Sequence, residues 1–265
     1  MKSWYVTGVS GGIGRAIARA ALDAGAQVYG SVRRDTQRAA FEALAPGRAH
    51  ALLLDVTDAD AIEAARGRLE ADGGIDILVN NAGVGIVGAA EETSIDEARA
   101  IFEVNLFGLL RVTQSVLPMM RARGSGHVVN LSSGVGLTGL AGMALYAASK
   151  GAVESLSEAM AAEVAPFGIH VSLVEAGAID TGFATEHAVE SVGRLPCYAG
   201  LTGTGRKGLE RFYAAPTPPE HVAEAVLALT CMDAPPLRQL VGGVTVAAER
   251  KRDAMDAALA RALSI

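Results

Sequence analysis

The chain has 265 residues, 50% of them hydrophobic, rich in Ala and Gly and poor in aromatics, which suits one α/β domain with closely packed helices and argues against disorder. The formal net charge is −6, and basic residues gather only at Arg33-Arg34 and at Glu249-Arg250-Lys251-Arg252, so a nucleic-acid partner is not expected. Cys197 and Cys231 match no metal-ligand spacing and no disulfide framework. No uninterrupted apolar run reaches the roughly 18 residues of a membrane span, and Met1-Lys2-Ser3-Trp4 leads straight into a strand with no signal peptide; the expected setting is the reducing cytoplasm, away from membranes.

Apolar, β-branched runs alternate with helical patterns along the chain. Trp4-Tyr5-Val6 reads as a strand, Ile13 to Ala24 as a helix closed by Gly25, and Gln27 to Val32 as a second strand. Asp35 to Leu44 reads as a helix and Ala49 to Leu54 as a strand. Thr57-Asp58 then caps a helix to about Glu70, and Ile75 to Val79 is a fourth strand. A long helical region follows Thr93-Ser94 and ends near Arg123-Gly124. His127 to Leu131 is a fifth strand, a helix starts near Tyr146, and Ile169 to Val174 is a sixth strand. From Ala176 to about Pro219 breakers such as Gly193, Pro196, Gly200 and Pro216 interrupt the pattern, and 182–219 is expected to be a substrate lid. A helix over Glu220 to Thr230, a short strand near Leu240 to Val246 and an amphipathic helical tail over 247–265 complete the chain. This βα alternation predicts one domain, 1–265, with a parallel sheet covered by helices on both faces, a three-layer α/β/α architecture.

Thr7-Gly8-Val9-Ser10-Gly11-Gly12-Ile13-Gly14 lies between the first strand and the first helix. Glycines there let the backbone turn tightly and approach a pyrophosphate, and the helix N-terminus offers unpaired amides, so Gly8, Ser10, Gly12, Ile13 and Gly14 are candidate nucleotide ligands. The spacing is Gly-x-x-x-Gly-x-Gly, which departs from the common dinucleotide fingerprint. An NAD site places an acid at the end of the second strand. Here that end reads Tyr29-Gly30-Ser31-Val32-Arg33-Arg34, and Arg33, helped by Ser31, can bond a 2′-phosphate instead. NADP is therefore favoured over NAD. Asp55, just past the third strand, is placed to receive the adenine amino group, with Val56 beside it; a turn cap is the alternative role for Asp55.

Tyr146 and Lys150 stand four residues apart on a helix and therefore share a face. A free phenol, with a pKa of roughly 10, is too weakly acidic for acid–base work at neutral pH, and a cation beside it favours the phenolate.

Together, Thr7-Gly8-x-x-x-Gly12-x-Gly14, Asp55, Asn80-Asn81-Ala82-Gly83, Asn105, Ser133, Tyr146-x-x-x-Lys150 and Gly177-x-x-x-Thr181 resemble the short-chain dehydrogenase/reductase family in its compact single-domain branch. The resemblance implies a Rossmann-like doubly wound sheet of about seven strands and an oxidoreductase acting on a ketone or secondary alcohol. It implies that Tyr146 exchanges the proton with the reacting oxygen and that Ser133 holds that oxygen. Lys150 would bond the nicotinamide ribose, and Asn105 would hold a water between Lys150 and solvent. Asn81, Ala82 and Gly83 would line the adenosine side and ribose, and Thr181 would hold the carboxamide. A homodimer or homotetramer is implied as well, and the long helix after Ser94 carries apolar residues on more than one face.

Two departures stand out. Glu175-Ala176-Gly177 replaces the family's usual Pro-Gly, and Pro235-Pro236-Leu237-Arg238-Gln239-Leu240-Val241-Gly242 is similar to the hydroxysteroid- and retinol-type members. For the substrate, Phe183, Leu195, Pro196, Tyr198, Leu201, Phe212 and Tyr213 of the lid, with Leu137, Leu140, Met143 and Leu145 opposite, form a candidate apolar pocket; Leu140 and Phe183 are its first candidates. His187 and Arg194 are candidate contacts to a polar substituent. No metal site is expected. The alternative functions are a non-redox dehydratase or epimerase and a catalytically silent nucleotide sensor.

Overall fold

In the computed structural model the described residues are 1–183, 188–193, 195–199, 215–243 and 246–263. The strands are Ser3–Val6 (β1), Gln27–Val32 (β2), Ala49–Leu53 (β3), Ile77–Asn80 (β4), Gly85–Val87 (β5), Gly126–Ser133 (β6), Ile169–Ala176 (β7), Ala188–Glu190 (β8) and Arg238–Val241 (β9). Seven of them form one sheet in the order β3-β2-β1-β4-β6-β7-β9, with every neighbouring pair parallel. The order reverses between β1 and β4. At such a switch point the flanking connections leave on opposite faces and open a crevice at the carboxyl ends of the strands.

The helices are Gly12–Asp23 (α1), Arg38–Glu42 (α2), Ala59–Ala71 (α3), Ile95–Phe102 (α4), Leu109–Arg123 (α5), Gly134–Leu137 (α6), Ala144–Val164 (α7), Pro219–Leu229 (α8) and Val246–Leu263 (α9). In α1 the buried residues Gly14, Ile17, Ala18, Ala21 and Leu22 recur at helical spacing, and a left-handed Gly25 (φ 86°) follows the helix. Asp58 caps α3 by accepting from the Asp60 and Ala61 amides, and Ser94 and Glu97 form a capping box on α4. One core layer packs Val6, Val28, Val79, Val129 and Val174 under α1, α2 and α8; the other packs Tyr5, Leu78 and Val128 under α3, α5 and α7.

The seven-stranded parallel sheet and the helices flanking it accord with the sequence reading, and three details correct it. The long helix from Ile95 to Arg123 contains a π-helical turn, Glu103–Gly108, centred on Asn105. Gly108 faces Val56 there, where a Cβ would come within 2.6 Å of Val56 Cγ2. The last strand lies earlier than expected, at Arg238–Val241, because Gly242 (φ 84°) ends it and Val246 begins the tail helix. A separate parallel pair, β5 with β8, joins the strand-end loop to the segment 188–190.

The 29-residue helix Ile95–Arg123 is long and apolar enough to pass for a membrane span by length and composition. In the fold, Leu109, Val112, Val116 and Met120 of α5 are buried within the protein, while Ile95 and Phe107 are exposed.

Candidate active site

The crevice at the carboxyl ends of the strands is lined by most of the residues singled out from the sequence. Gly8, Ser10, Gly12, Ile13, Ser31, Arg33, Asp55, Val56, Asn81, Ala82 and Gly83 lie along it, as do Ser133, Leu140, Tyr146, Lys150, Thr181 and Phe183. Gly14 and Asn105 are not on its surface; they act from behind it.

The glycine loop is held from beneath. Gly8 (φ 75°) and Gly12 (φ 52°) take left-handed conformations that a side chain rarely adopts. The Gly8 amide donates to Ser31 Oγ at 2.9 Å. Asn81 Nδ2 donates to the Thr7 and Gly8 carbonyls at 2.9 and 3.1 Å, and Thr7 Oγ1 accepts from the Asn81 and Ala82 amides. A Cβ on Gly14 would collide with the Gly8 carbonyl and with Asn81 Nδ2. Gly14→Ala is therefore expected to cost about 1–3 kcal/mol of stability through overpacking and to distort the loop. Denaturant unfolding and a dinucleotide titration check both effects, and an unchanged titration would remove Gly14 from the loop's support.

Asp55 carries out the capping alternative: its Oδ1 accepts from the Thr57 amide at 3.0 Å and from Thr57 Oγ1 at 2.8 Å. Arg33 is exposed at the mouth of the crevice, and among the described residues no carboxylate pairs with it. Arg33, the Ser31 hydroxyl and the left-handed glycines form a cradle that fits a nicotinamide dinucleotide.

At the other end, Tyr146 and Lys150 project from α7 into the crevice. Lys150 is buried and donates from Nζ to the Leu131 carbonyl at 2.8 Å; its ammonium lies 6.0 Å from the Tyr146 ring centre. Burial pulls the Lys150 pKa down to about 8, and the charge of Glu154 pushes back. The Tyr146 ring packs against Phe183, with centroids 5.4 Å apart. Ser133, at the end of β6, donates from Oγ to the Ala176 carbonyl at 3.2 Å. Thr181 donates from Oγ1 to the Ile179 carbonyl at 3.4 Å and lies against Gly12.

Asn105 is almost fully buried. Its Nδ2 donates to the Val84 carbonyl (2.9 Å) and to Ser149 Oγ (3.0 Å), and its Oδ1 accepts from the Val84 amide (2.9 Å). The amide thus ties the loop after β4 to α7, next to Gly83 and close to the Lys150 ammonium. Ala176 in place of proline leaves a turn held by other means. The Gly177 amide donates to the Val241 carbonyl at 2.8 Å, and a Cβ on Gly177 would strike the Gly243 carbonyl.

Sequence reasoning missed two features. Val84 and Val135 join Leu140, Met143 and Phe183 in the apolar wall. Carboxylates of the segment 91–97 hold the segment 192–198: Glu97 accepts from the Val192 amide (2.7 Å), Glu92 from the Leu195 amide (3.0 Å) and Glu91 from the Tyr198 hydroxyl (2.7 Å). These bonds join segments about a hundred residues apart, which no local pattern records. The candidates His187, Arg194, Leu201, Phe212 and Tyr213 lie outside the described residues.

Residues 2–190 match the family model described as short chain dehydrogenase. The chain is 34% identical over 239 residues to a 3-ketodihydrosphingosine reductase of Bacteroides thetaiotaomicron, covering 89% of this chain and 86% of that protein. Its fold matches the crystal structure of a short-chain dehydrogenase from Streptomyces avermitilis with a TM-score of 0.87 and 42% identity, over 100% of this chain and 97% of the other. It also matches a closed form of serine dehydrogenase complexed with NADP+ (TM-score 0.79, 27% identity, 91% of this chain and 94% of that one).

Proposed function

The chain belongs to the short-chain dehydrogenase/reductase family of NAD(P)-dependent oxidoreductases acting on CH–OH groups, and from that premise we propose that it interconverts a ketone and a secondary alcohol with NADP(H). The observation that carries this reading is a single crevice with Ser133, Tyr146 and Lys150 at one end and the glycine loop with Arg33 at the other.

A bound nicotinamide supplies or accepts the hydride. Tyr146 gives its hydroxyl proton to the carbonyl oxygen on reduction and recovers it from the alcohol on oxidation. Ser133 turns its hydroxyl from the Ala176 carbonyl to the same oxygen, fixing the carbonyl beside the phenol. Lys150 bonds the nicotinamide ribose, and its ammonium favours the phenolate of Tyr146. Asn105 keeps the Gly83–Val84 backbone in place behind that ammonium. Thr181 takes the carboxamide, the amides of Ser10 to Ile13 take the pyrophosphate, and Asp55 with Val56 borders the adenine. Arg33 and Ser31 take the 2′-phosphate.

The apolar wall of Val84, Val135, Leu140, Met143 and Phe183 favours a substrate whose carbonyl carries hydrocarbon on both sides. Exposed Ile95 and Phe107 on the long helix favour burial against a second copy in a homodimer or homotetramer, which light scattering reads directly. Two free, exposed cysteines fit a reducing cytoplasm.

The cofactor assignment is tested by fluorescence titration with NADPH and NADH. Arg33→Ala is expected to weaken NADPH binding by roughly 10–100-fold, the loss of one charge-assisted contact of about 1.5–3 kcal/mol, and to leave NADH binding unchanged. NADH binding as tightly as NADPH to the wild-type protein overturns the assignment.

A further inference from the structure

One turn beyond Lys150 on α7, and directly beneath the crevice, lies a cluster of charges that the proposed reaction does not use. Glu154 and Glu175 are both buried, at 2% and 0% exposure, and share a single buried guanidinium, that of Arg238. Arg238 Nε lies 3.2 Å from Glu154 Oε2 and 3.3 Å from Glu175 Oε1. Its remaining nitrogens are engaged elsewhere, with Glu158 on α7 and, at 2.6 Å, with Asp256 on α9. Glu154 Oε1 and both Glu175 oxygens have no hydrogen-bond partner among the described residues.

Two ionised carboxylates cannot stand side by side in such a site with one shared cation that also serves two outer acids. A protonated carboxyl removes one of the two charges. The position of the pair gives that proton a consequence. Glu154 follows Lys150 by one helical turn, and Glu175 pairs in register with Ser132, the neighbour of Ser133. The remaining charges facing the pair are Lys150, Glu158, Arg238, and Arg252 and Asp256 of the tail helix.

Resting on the oxidoreductase reading above, we propose that Glu154 and Glu175 are positioning residues that hold one proton between them and thereby set the charge felt by Lys150 and Tyr146. Below the pair's ionisation one negative charge lies behind the ammonium. Above it there are two, which hold the proton on Lys150 more firmly and oppose formation of the phenolate on Tyr146. Burial, then the charge of Glu154, raises Glu175 to about 8.

Infrared spectroscopy of the intact protein tests the proton directly, without turnover. At pH 7 the difference between wild type and Glu175→Gln is expected to contain the carbonyl band of a buried carboxylic acid, and that band is expected to vanish as the pH passes about 8. In Glu154→Gln the band is expected to vanish at lower pH, because the neighbouring charge that opposes ionisation is gone. Absence of an acid band at pH 7, in variants whose circular dichroism matches wild type, overturns the proton-holding pair. The coupling is read by the phenol's ultraviolet titration, taken as wild type minus Tyr146→Phe, and by the pH profile of kcat. Lys150, itself drawn down to about 8, keeps a step in both; Glu175→Gln is expected to move that step to lower pH, because one of the two negative charges that hold the proton on Lys150 is gone, with KM for NADPH held within about twofold. A phenol titration identical in wild type and Glu175→Gln overturns the coupling. Because the infrared and phenol readouts need no substrate, failure of the oxidoreductase reading, seen as retained turnover in Tyr146→Phe, is distinguishable from failure of this one.

Discussion

Phenylalanine in place of Tyr146 is expected to lower kcat by about 10²–10⁴-fold and to leave NADPH binding within a few-fold of wild type. The substitution removes one oxygen and little else. The ring remains packed against Phe183, and Lys150 keeps its bond to the Leu131 carbonyl. The lost group is the hydroxyl of a ring with an ammonium 6.0 Å from its centre and an apolar wall on the other side. Ser133 cannot take over the proton, since an aliphatic hydroxyl is far less acidic than a phenol and does not ionise in the working range. Steady-state assays with NADPH and a panel of hydrophobic ketones, together with a fluorescence titration, separate the two effects. A variant that retains most of its turnover would show that the proton comes from another group. A variant that loses NADPH binding as well would show that the phenol mainly holds the cofactor.

Arg238→Ala is expected to produce the largest loss of stability of any single substitution considered, about 3–5 kcal/mol at neutral pH. The side chain is fully buried and joins four elements, β9, α7, β7 and α9, through Glu154, Glu158, Glu175 and Asp256. Removing it leaves Glu154 and Glu175 facing each other with no cation between them. The pH dependence has a definite sign. Glu175 in the fold keeps its proton to about pH 8, while in the unfolded chain it releases it in the ordinary carboxylate range. Its contribution is therefore fully present at acid pH and is lost as the pH rises through about 8. Without Arg238 both carboxyls are raised further, so the variant's deficit shrinks on acidification as the two groups take up protons. Denaturant unfolding at pH 5 and pH 8 measures this. An equal deficit at both values would assign the loss to packing of the long side chain, and Arg238→Met, which restores most of the volume, would then recover it.

Much of this protein was legible along the chain. The glycine loop, the Asp58 and Ser94 caps, the βα alternation and the four-residue spacing of Tyr146 and Lys150 are local patterns, governed by backbone conformation and helical or strand periodicity over a few residues. The features that were not legible rest on contacts between distant segments. Gly242, in a left-handed turn, ends the last strand earlier than the sequence reading placed it, which puts Arg238 inside that strand. Arg238 is buried where four acids meet its guanidinium, Glu154, Glu158 and Glu175 from upstream and Asp256 from downstream. Ser31 and Asn81 read as nucleotide ligands, yet their side chains also brace the loop that approaches the nucleotide, across 23 and 73 residues. The π turn at Asn105 follows from bonds to Val84, and the hold on the segment 192–198 follows from Glu92 and Glu97 reaching residues about a hundred positions away. Periodicity records which face of an element is buried. It does not record which charged groups will share that interior, because their desolvation and pairing energies exist only once the sheet has brought them together.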